Sequence, residues 1–510
     1  MPTTLPSPTL LPGPSQAPLY RRLAGHYLDA MRAGSLQPGD RFPSVRRLMR
    51  DHAVSLSTAL QACRQLEDDG WLEARPRSGF FVRRPRRAGL PPANERLARA
   101  DAPPLPSADY TGLHSRVSRV LAMGEQAAVR VNLALAVGAP GLYPAQILQR
   151  GMTRLLRSQP QLVATMPRRH GHPDLQAALA RRALARGLQV APQEVIVTQG
   201  CVEAINVALR AVTQPGDTVV VESPTFFGLL QVLESLGLKA LELPTSPTNG
   251  LSLDALAYVL AQADQPGATP VRAVLVMPNL HNPLGAVMPD AHKAALVGLC
   301  AQHRVALIED DIYADMVADD RPLKPLKAWD RDGGVIHCAS LNKVLAPGVR
   351  LGWLLAGRWQ ARVEMLKYTQ SRYTEELWQR VAAEVLDSPA FDRHLHQLRG
   401  ALNRQRAQMA EAVARHFPDG TRLSPPPGGL LLWVELPAGV DAERLFEQAL
   451  ALGIKIAPGS LFSNAGLFRH CIRLNCGAVH GPEVEAAVQT LGALASAQRA
   501  EVAAAAVRQP

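Results

Sequence analysis

From Val131 onward the chain alternates short apolar runs of strand length with longer runs of helical spacing. This alternation restricts its fold more than any other feature. "EVIVTQG" precedes "CVEAINVALRAV", "DTVVVES" precedes "FFGLLQVLESLG", and "RAVLVMP" leads through a loop to "DAHKAALVGLCAQH". "RVALIEDD" and "GVIHCAS" are further runs of strand length. Apolar strands separated by helices predict an α/β fold with a mainly parallel sheet covered by helices. Ligands of such sheets bind beyond the carboxyl ends of the strands. The polar clusters stand there: "TQGC" (198–201), "NPLG" (282–285), "EDDIY" (309–313) and "ASLNK" (339–343) each close or follow an apolar run.

The first hundred residues read differently. They hold sixteen Arg and no Lys against eight acidic residues, while the other 410 residues supply only three of the net charge of +11. A surplus confined to one end fits either a polyanion-binding module or a solvated basic surface. The pattern goes further. Leu19, Leu23, Tyr27, Leu28 and Met31 recur at helical spacing. "QPGDRFPS" then breaks the helix, and Ser44 is placed to cap a second one, "VRRLMRDHA". Ser55 or Ser57 is placed to cap a third, "LSTALQACRQLEDDG", ended by Gly70. Two strand-like runs follow around Arg77, Ser78 and Gly79. Three helices and a hairpin predict a winged helix-turn-helix.

The residues "PGDRFPSVRRLM" and "LSTALQACRQLEDDGWLEARPRSGFFV" resemble the DNA-binding domain of GntR-type regulators, from about Pro18 to Pro85. The resemblance implies that the third helix enters the major groove and the wing follows the backbone or minor groove. The implied DNA-binding residues are Ser44 and Arg46 of the P-S-x-R-x-L motif, Ser57 and Thr58 at the start of the third helix, and Arg77 in the wing. Where the family often has arginines on that helix, this chain has Leu56 and Leu60. They suit either thymine methyl groups or packing on a neighbouring domain.

The clusters of the large body together resemble the fold-type I, aspartate-aminotransferase-like proteins that use pyridoxal 5'-phosphate (PLP), over roughly residues 115–490. The resemblance implies that Lys343 forms an imine with the cofactor aldehyde. It implies that Asp310 keeps the pyridine nitrogen protonated, so that the ring can draw electrons. Tyr313 and Asn282 match the pair that bonds the ring's phenolic oxygen, and Phe226 matches the stacked aromatic residue. Gly200, Cys201 and Val202 open a helix whose N–H groups suit the phosphate, and Ser340 and Arg350 match its side-chain ligands. Arg473 in "CIRLNC" matches the arginine that grips a substrate carboxylate. The chain departs from the pattern at Cys201 and Val202, where Ser and Gln are common. It departs again at Met166, where a tyrosine lent by the partner subunit is usual, and at Asn342, where a small hydroxyl residue is common.

A GntR-type winged helix joined to an aminotransferase-like body resembles the MocR subfamily of bacterial regulators. The expected organisation is a disordered tail (1–16), a winged helix-turn-helix (17–85), an Arg- and Pro-rich linker (86–114) and a PLP-binding domain (115–495). The expected protein is a homodimeric transcription regulator that binds double-stranded DNA and senses PLP or a small amine or amino-acid effector. A working aminotransferase with an auxiliary DNA-binding domain is the second reading. A DNA-binding protein whose body only dimerises is the third. The first 18 residues are uncharged and hold six prolines, unlike a signal peptide. No run approaches the ~18 apolar residues of a membrane span. A cytoplasmic location with no membrane partner is therefore expected. Six scattered cysteines without a C-x-x-C pair suggest reduced thiols, and neither a metal site nor a disulfide frame.

Overall fold

The structure, a computed structural model, describes residues 18–37, 39–75, 78–83, 90–93, 109–319 and 321–507. The expected tail over 1–16 and Arg77 lie outside the described residues, as does most of the stretch read as a linker. The chain divides into two compact units between residues 89 and 90.

The N-terminal unit has helices Leu19–Arg32, Val45–His52 and Leu56–Asp68, then strands Leu72–Arg75 and Gly79–Val82. The strands pair antiparallel, Leu72 opposite Val82 and Arg75 opposite Gly79. Ser44 Oγ accepts from Arg47 N at 3.3 Å, and Ser55 Oγ accepts from Thr58 N at 3.2 Å. Such caps stabilise a helix by about 1 kcal/mol each. The apolar positions spaced for a helix, Leu23 and Met31, meet Leu48, Ala59, Cys63 and Leu66 in one small core. Phe42, Leu72 and Val82 close it from the hairpin side.

The second unit is built on a nine-stranded sheet. Eight strands run in the order Asp109–Tyr110, Lys239–Ser246, Thr218–Ser223, Val271–Val276, Ala306–Asp310, Val335–Ser340, Gly352–Leu355 and Val195–Thr198, and the ninth, Gly250–Leu251, pairs antiparallel with Lys239–Ser246. From Lys239–Ser246 to Val335–Ser340 every pairing is parallel. Gly352–Leu355 runs antiparallel to both of its neighbours, so Val195–Thr198 again points the same way as the parallel strands. The strands are buried on both faces, as continuous Val, Ile and Leu runs require.

A smaller antiparallel sheet follows, in the order Arg422–Leu423, Leu431–Glu435, Cys471–Asn475, Ala457–Pro458. It packs with the far end of the helix Pro389–His416 and with Pro482–Val507 in a second core that holds Met409, Val413, Ile472, Leu474 and Val488. Part of the stretch 86–114 also belongs to this unit. Ala93 N donates to Ser424 Oγ at 2.9 Å, Asp109–Tyr110 joins the main sheet, and the helix Leu113–Gln126 starts ahead of residue 115. Pro482–Val507 continues past residue 495. Among the described residues no helix is long and apolar enough to cross a membrane.

Candidate functional site

Parallel strands place their carboxyl ends side by side, and the candidate residues converge there. Asp310 ends Ala306–Asp310, Ser340 ends Val335–Ser340, and Thr198 ends Val195–Thr198. Ser340, Gly352 and Thr198 stand opposite one another across three strands. A side chain at Gly352 would put Cβ 2.5 Å from the carbonyl carbon of Gly200, so only glycine lets the two segments touch. Gly200 has φ +86° and opens the helix Cys201–Val212. A Cβ there would lie 3.4 Å from Arg350 Nη2 and 3.1 Å from Asn342 Nδ2. Free N–H groups at a helix start, an arginine and a serine form a cradle suited to a phosphate. Val202 is exposed on the first turn of that helix.

Lys343 is held under this cradle. Its Nζ donates to the Ala136 carbonyl at 2.5 Å and lies 5.4 Å from the Tyr313 ring centroid. Burial, with the positive charges of Arg473 and Arg350, lowers its pKa to about 8 against the opposing pull of Asp310. Asp310 is buried, and burial pushes its carboxyl up to about 6. The Cys201 thiol and the Ile312 N–H both reach Asp310 Oδ1, at 3.3 Å each. No described donor bonds Oδ2, which leaves that oxygen for a protonated ring nitrogen. Tyr313 is buried, its hydroxyl pKa raised by burial, and it bonds Asn282.

Asn282 also links the lysine side of the site to Arg473. Arg473 Nη1 donates to Asn282 Oδ1 at 3.0 Å, and Nη2 donates to the Ala134 carbonyl. Its guanidinium lies 5.1 Å above the Phe462 ring. The residue is 1% exposed, its Nε has no partner, and no carboxylate pairs with it among the described residues. Burial lowers its pKa to about 10, so it is charged at neutral pH. An unpaired buried cation costs several kcal/mol, so this position asks for an anion. Phe226 makes no described contact with Lys343 or Asp310. It packs on Phe227 at 4.8 Å, and Phe227 in turn meets Phe462 at 5.7 Å.

The donor set fits PLP: an amine of lowered pKa, a buried carboxylate with an open oxygen, a phosphate cradle and an unpaired arginine. The sequence did not point to several neighbours. The carbonyls of Ala134 and Ala136 hold Arg473 and Lys343, and Asn475 Nδ2 anchors this segment through the Val137 carbonyl at 2.9 Å. The role of the Cys201 thiol was also missed. Nothing local signals it, because the strand that ends at Asp310 stands three places away along the sheet from Val195–Thr198.

In the N-terminal unit, Ser44 acts as a helix cap. Arg46 is exposed on the first turn of Val45–His52. Arg47 and Arg50 pair with Asp51 at 3.1 and 3.2 Å on the surface. Ser57 Oγ and Thr58 Oγ1 bond the Ser55 hydroxyl. Leu56 is exposed and Leu60 half-buried. Gln61 and Arg64 are exposed on the same outward stripe as Ser57. Their i, i+4, i+7 spacing was the signal for them.

Comparison with known proteins covers both units. Residues 133–491 match the model of the aminotransferase class I and II family, and residues 19–82 match that of the bacterial regulatory proteins, gntR family. The chain is 34% identical to the uncharacterized HTH-type transcriptional regulator YdcR of Escherichia coli, over 93% of this chain and 98% of that one. It is 26% identical to the probable rhizopine catabolism regulatory protein MocR of Rhizobium meliloti, over 87% of each. Among solved structures it is similar to LysN, the α-aminoadipate aminotransferase of Thermus thermophilus, complexed with N-(5'-phosphopyridoxyl)-L-leucine. That likeness has a TM-score of 0.67 at 26% identity and covers 75% of this chain and 95% of LysN.

Proposed function

We propose that this chain, which belongs to the MocR-type GntR regulators with a gntR-family domain ahead of a class I and II aminotransferase domain, is a transcription regulator whose large unit binds PLP and answers to an amino acid. The observation that carries the effector class is Arg473, a buried guanidinium with no carboxylate partner, linked through Asn282 and Tyr313 to Lys343. The bound group supplies an aldehyde that amines add to and a ring that draws electrons. The chain's own residues do the rest. Lys343 offers an amine that is partly neutral near pH 8. Asp310 holds a proton on the ring nitrogen, with Cys201 keeping the carboxylate in its charged form. Gly200, Cys201, Ser340 and Arg350 orient the phosphate. Arg473 selects carboxylate-bearing amines by two parallel charge-assisted hydrogen bonds.

The effector shifts DNA binding only if it favours one arrangement of the protein over another. Homodimerisation is part of this reading. Val163 and Met166 are apolar and about 70% exposed, which suits a second copy of the chain. The intact site also supports a second reading, slow transamination, which release of a keto acid from an amino acid would measure.

Arg46, Ser57, Gln61 and Arg64 form the proposed DNA-reading set. Arg46→Ala is expected to weaken binding to DNA from upstream of the protein's own gene by about tenfold, as the loss of one charge-assisted contact. The slope of log affinity against log salt should fall by about one. Fluorescence anisotropy at several salt concentrations measures both. An unchanged slope removes Arg46 from the contacts.

Cys201→Ala is expected to weaken PLP binding about fivefold. It removes one donor to the Asp310 carboxylate, and a thiol is a weak donor worth about 1 kcal/mol here. Cys201→Ser keeps a donor and should restore the affinity. An absorbance titration with PLP separates the two variants.

A further inference from the structure

Behind the main sheet lies a cavity of about 260 Å³. Its walls include Leu179 of the helix Pro173–Leu184, Leu386 of Glu376–Leu386 and Leu395 of Pro389–His416. Trp353, Leu341 and His337 supply the sheet side. Successive strand residues face opposite ways, so His337 faces the cavity while its neighbour Cys338 turns to the other face. His337 is 2% exposed. Its Nε2 meets Asp311 Oδ2 at 3.0 Å, and its Nδ1 has no partner among the described residues. With Nε2–H donating to Asp311, Nδ1 of the neutral ring is an acceptor. A buried acceptor left without a donor is costly.

Three arginines line the wall and each has a partner; Arg399 Nε donates to the Asp315 carbonyl at 2.7 Å. Arg186 pairs with Asp311, and Arg182 pairs with Asp392 at 3.1 Å while lying 4.6 Å over the Phe391 ring. Two of the three arginines are thus neutralised by carboxylates. Beside its aliphatic walls the cavity offers the rings of Trp353 and Phe391, the carboxylates of Asp315 and Asp392 at its rim, and the unpartnered Nδ1 of His337. An apolar cavity of roughly 150 Å³ is enough for benzene.

We infer that this cavity is a second small-molecule site, separate from Lys343, for a neutral planar molecule of bicyclic size with one N–H or O–H donor, the donor pairing with His337 Nδ1. Its position joins two parts of the unit. Leu341 lies two residues before Lys343, and His337 lies on the strand that ends at Ser340. Leu395 belongs to the helix whose other end packs beneath Ile472 and Leu474, the flanking residues of Arg473.

Indole is the probe. Isothermal titration of the full chain with indole is expected to show one saturable site per chain. 1-Methylindole, which lacks the donor, should bind about fivefold to tenfold more weakly. Leu395→Trp fills the cavity and should lower indole affinity at least tenfold. Leu179→Phe fills it from the helix Pro173–Leu184 and serves if the first variant melts early. The inference does not rest on cofactor binding, because heat is read from indole alone. Absence of saturable binding up to the solubility of indole overturns it. So does equal binding by both filled variants that melt like the parent chain, or equal binding of indole and 1-methylindole.

Discussion

Lys343→Ala protein incubated with PLP and then borohydride is expected to gain no cofactor mass, whereas the parent chain gains one pyridoxyl phosphate group on the peptide that holds Lys343. Lys343 is the lysine whose amine stands beside Tyr313 and close enough to Asp310 and Arg350 for their charges to shift its pKa. The parent reaction should also depend on pH in a specific way. Only a neutral amine attacks an aldehyde. Burial and the charges of Arg473 and Arg350 lower the Lys343 pKa to about 8. Lowering the pKa of a cationic acid enlarges its neutral fraction at any pH below the ordinary value. At pH 7 that fraction is about a tenth, against about 0.04% for an ordinary lysine, a difference of roughly two hundredfold. Attachment to the cofactor-free chain should therefore speed up from pH 6 to 8 and level off above. Mass spectrometry after timed borohydride quenching reads this directly. A midpoint near that of a free lysine would mean that the amine is solvated, and the site assignment would fail.

Arg473→Ala protein is expected to keep the borohydride-trapped bond and lose the amino-acid response. Two charge-assisted hydrogen bonds to a carboxylate contribute about 3 kcal/mol, so amino-acid affinity should fall about 100-fold or more. Amines without a carboxylate should be unaffected by this loss. Arg473 also helps lower the Lys343 pKa. Its removal moves the lysine back toward its ordinary value, so the comparison belongs above pH 8, where both proteins hold neutral amine. Arg473→Lys separates charge from shape: it keeps a cation without the planar fork. The measurement is DNA affinity by anisotropy, with and without amino acids, alongside the absorbance of the bound cofactor. A variant that answers every amino acid as the parent does would make the arginine structural. Pyridoxal phosphate itself would then be the better effector.

Much of the large unit was legible because strand runs and helical runs alternate without overlap. Each polar cluster closes a run, and parallel strands put all such ends on one side. That rule alone was enough to bring Asp310, Ser340 and Gly200 to one edge of the sheet. The N-terminal unit was legible for a local reason. Its caps Ser44 and Ser55 act within three residues, and its core stripe repeats at helical spacing. The reversed strand Gly352–Leu355 was not legible. Nothing local distinguishes an antiparallel insertion of four residues, and its need for glycine comes from Gly200, 152 positions away.

The sequence by itself determined which candidate residues stand at which strand ends, since motif spacing and periodicity are local properties of the chain. Only the tertiary structure decided how the charges are balanced. The pair Asp310 and Asp311 reads as two equal acids. At the strand end one meets the Cys201 thiol, and burial raises its pKa to about 6. Burial pushes the other up as well, but Arg186 and the hydrogen bonds from His337 and Asn279 outweigh it and hold it below the usual carboxylate range. Those partners lie on distant segments, and successive residues of an extended chain face opposite sides of the sheet. The same physics leaves Arg473 buried without a counter-ion. Its strand brings it there from the small sheet, and only the packing of the two sheets makes its charge available to a ligand.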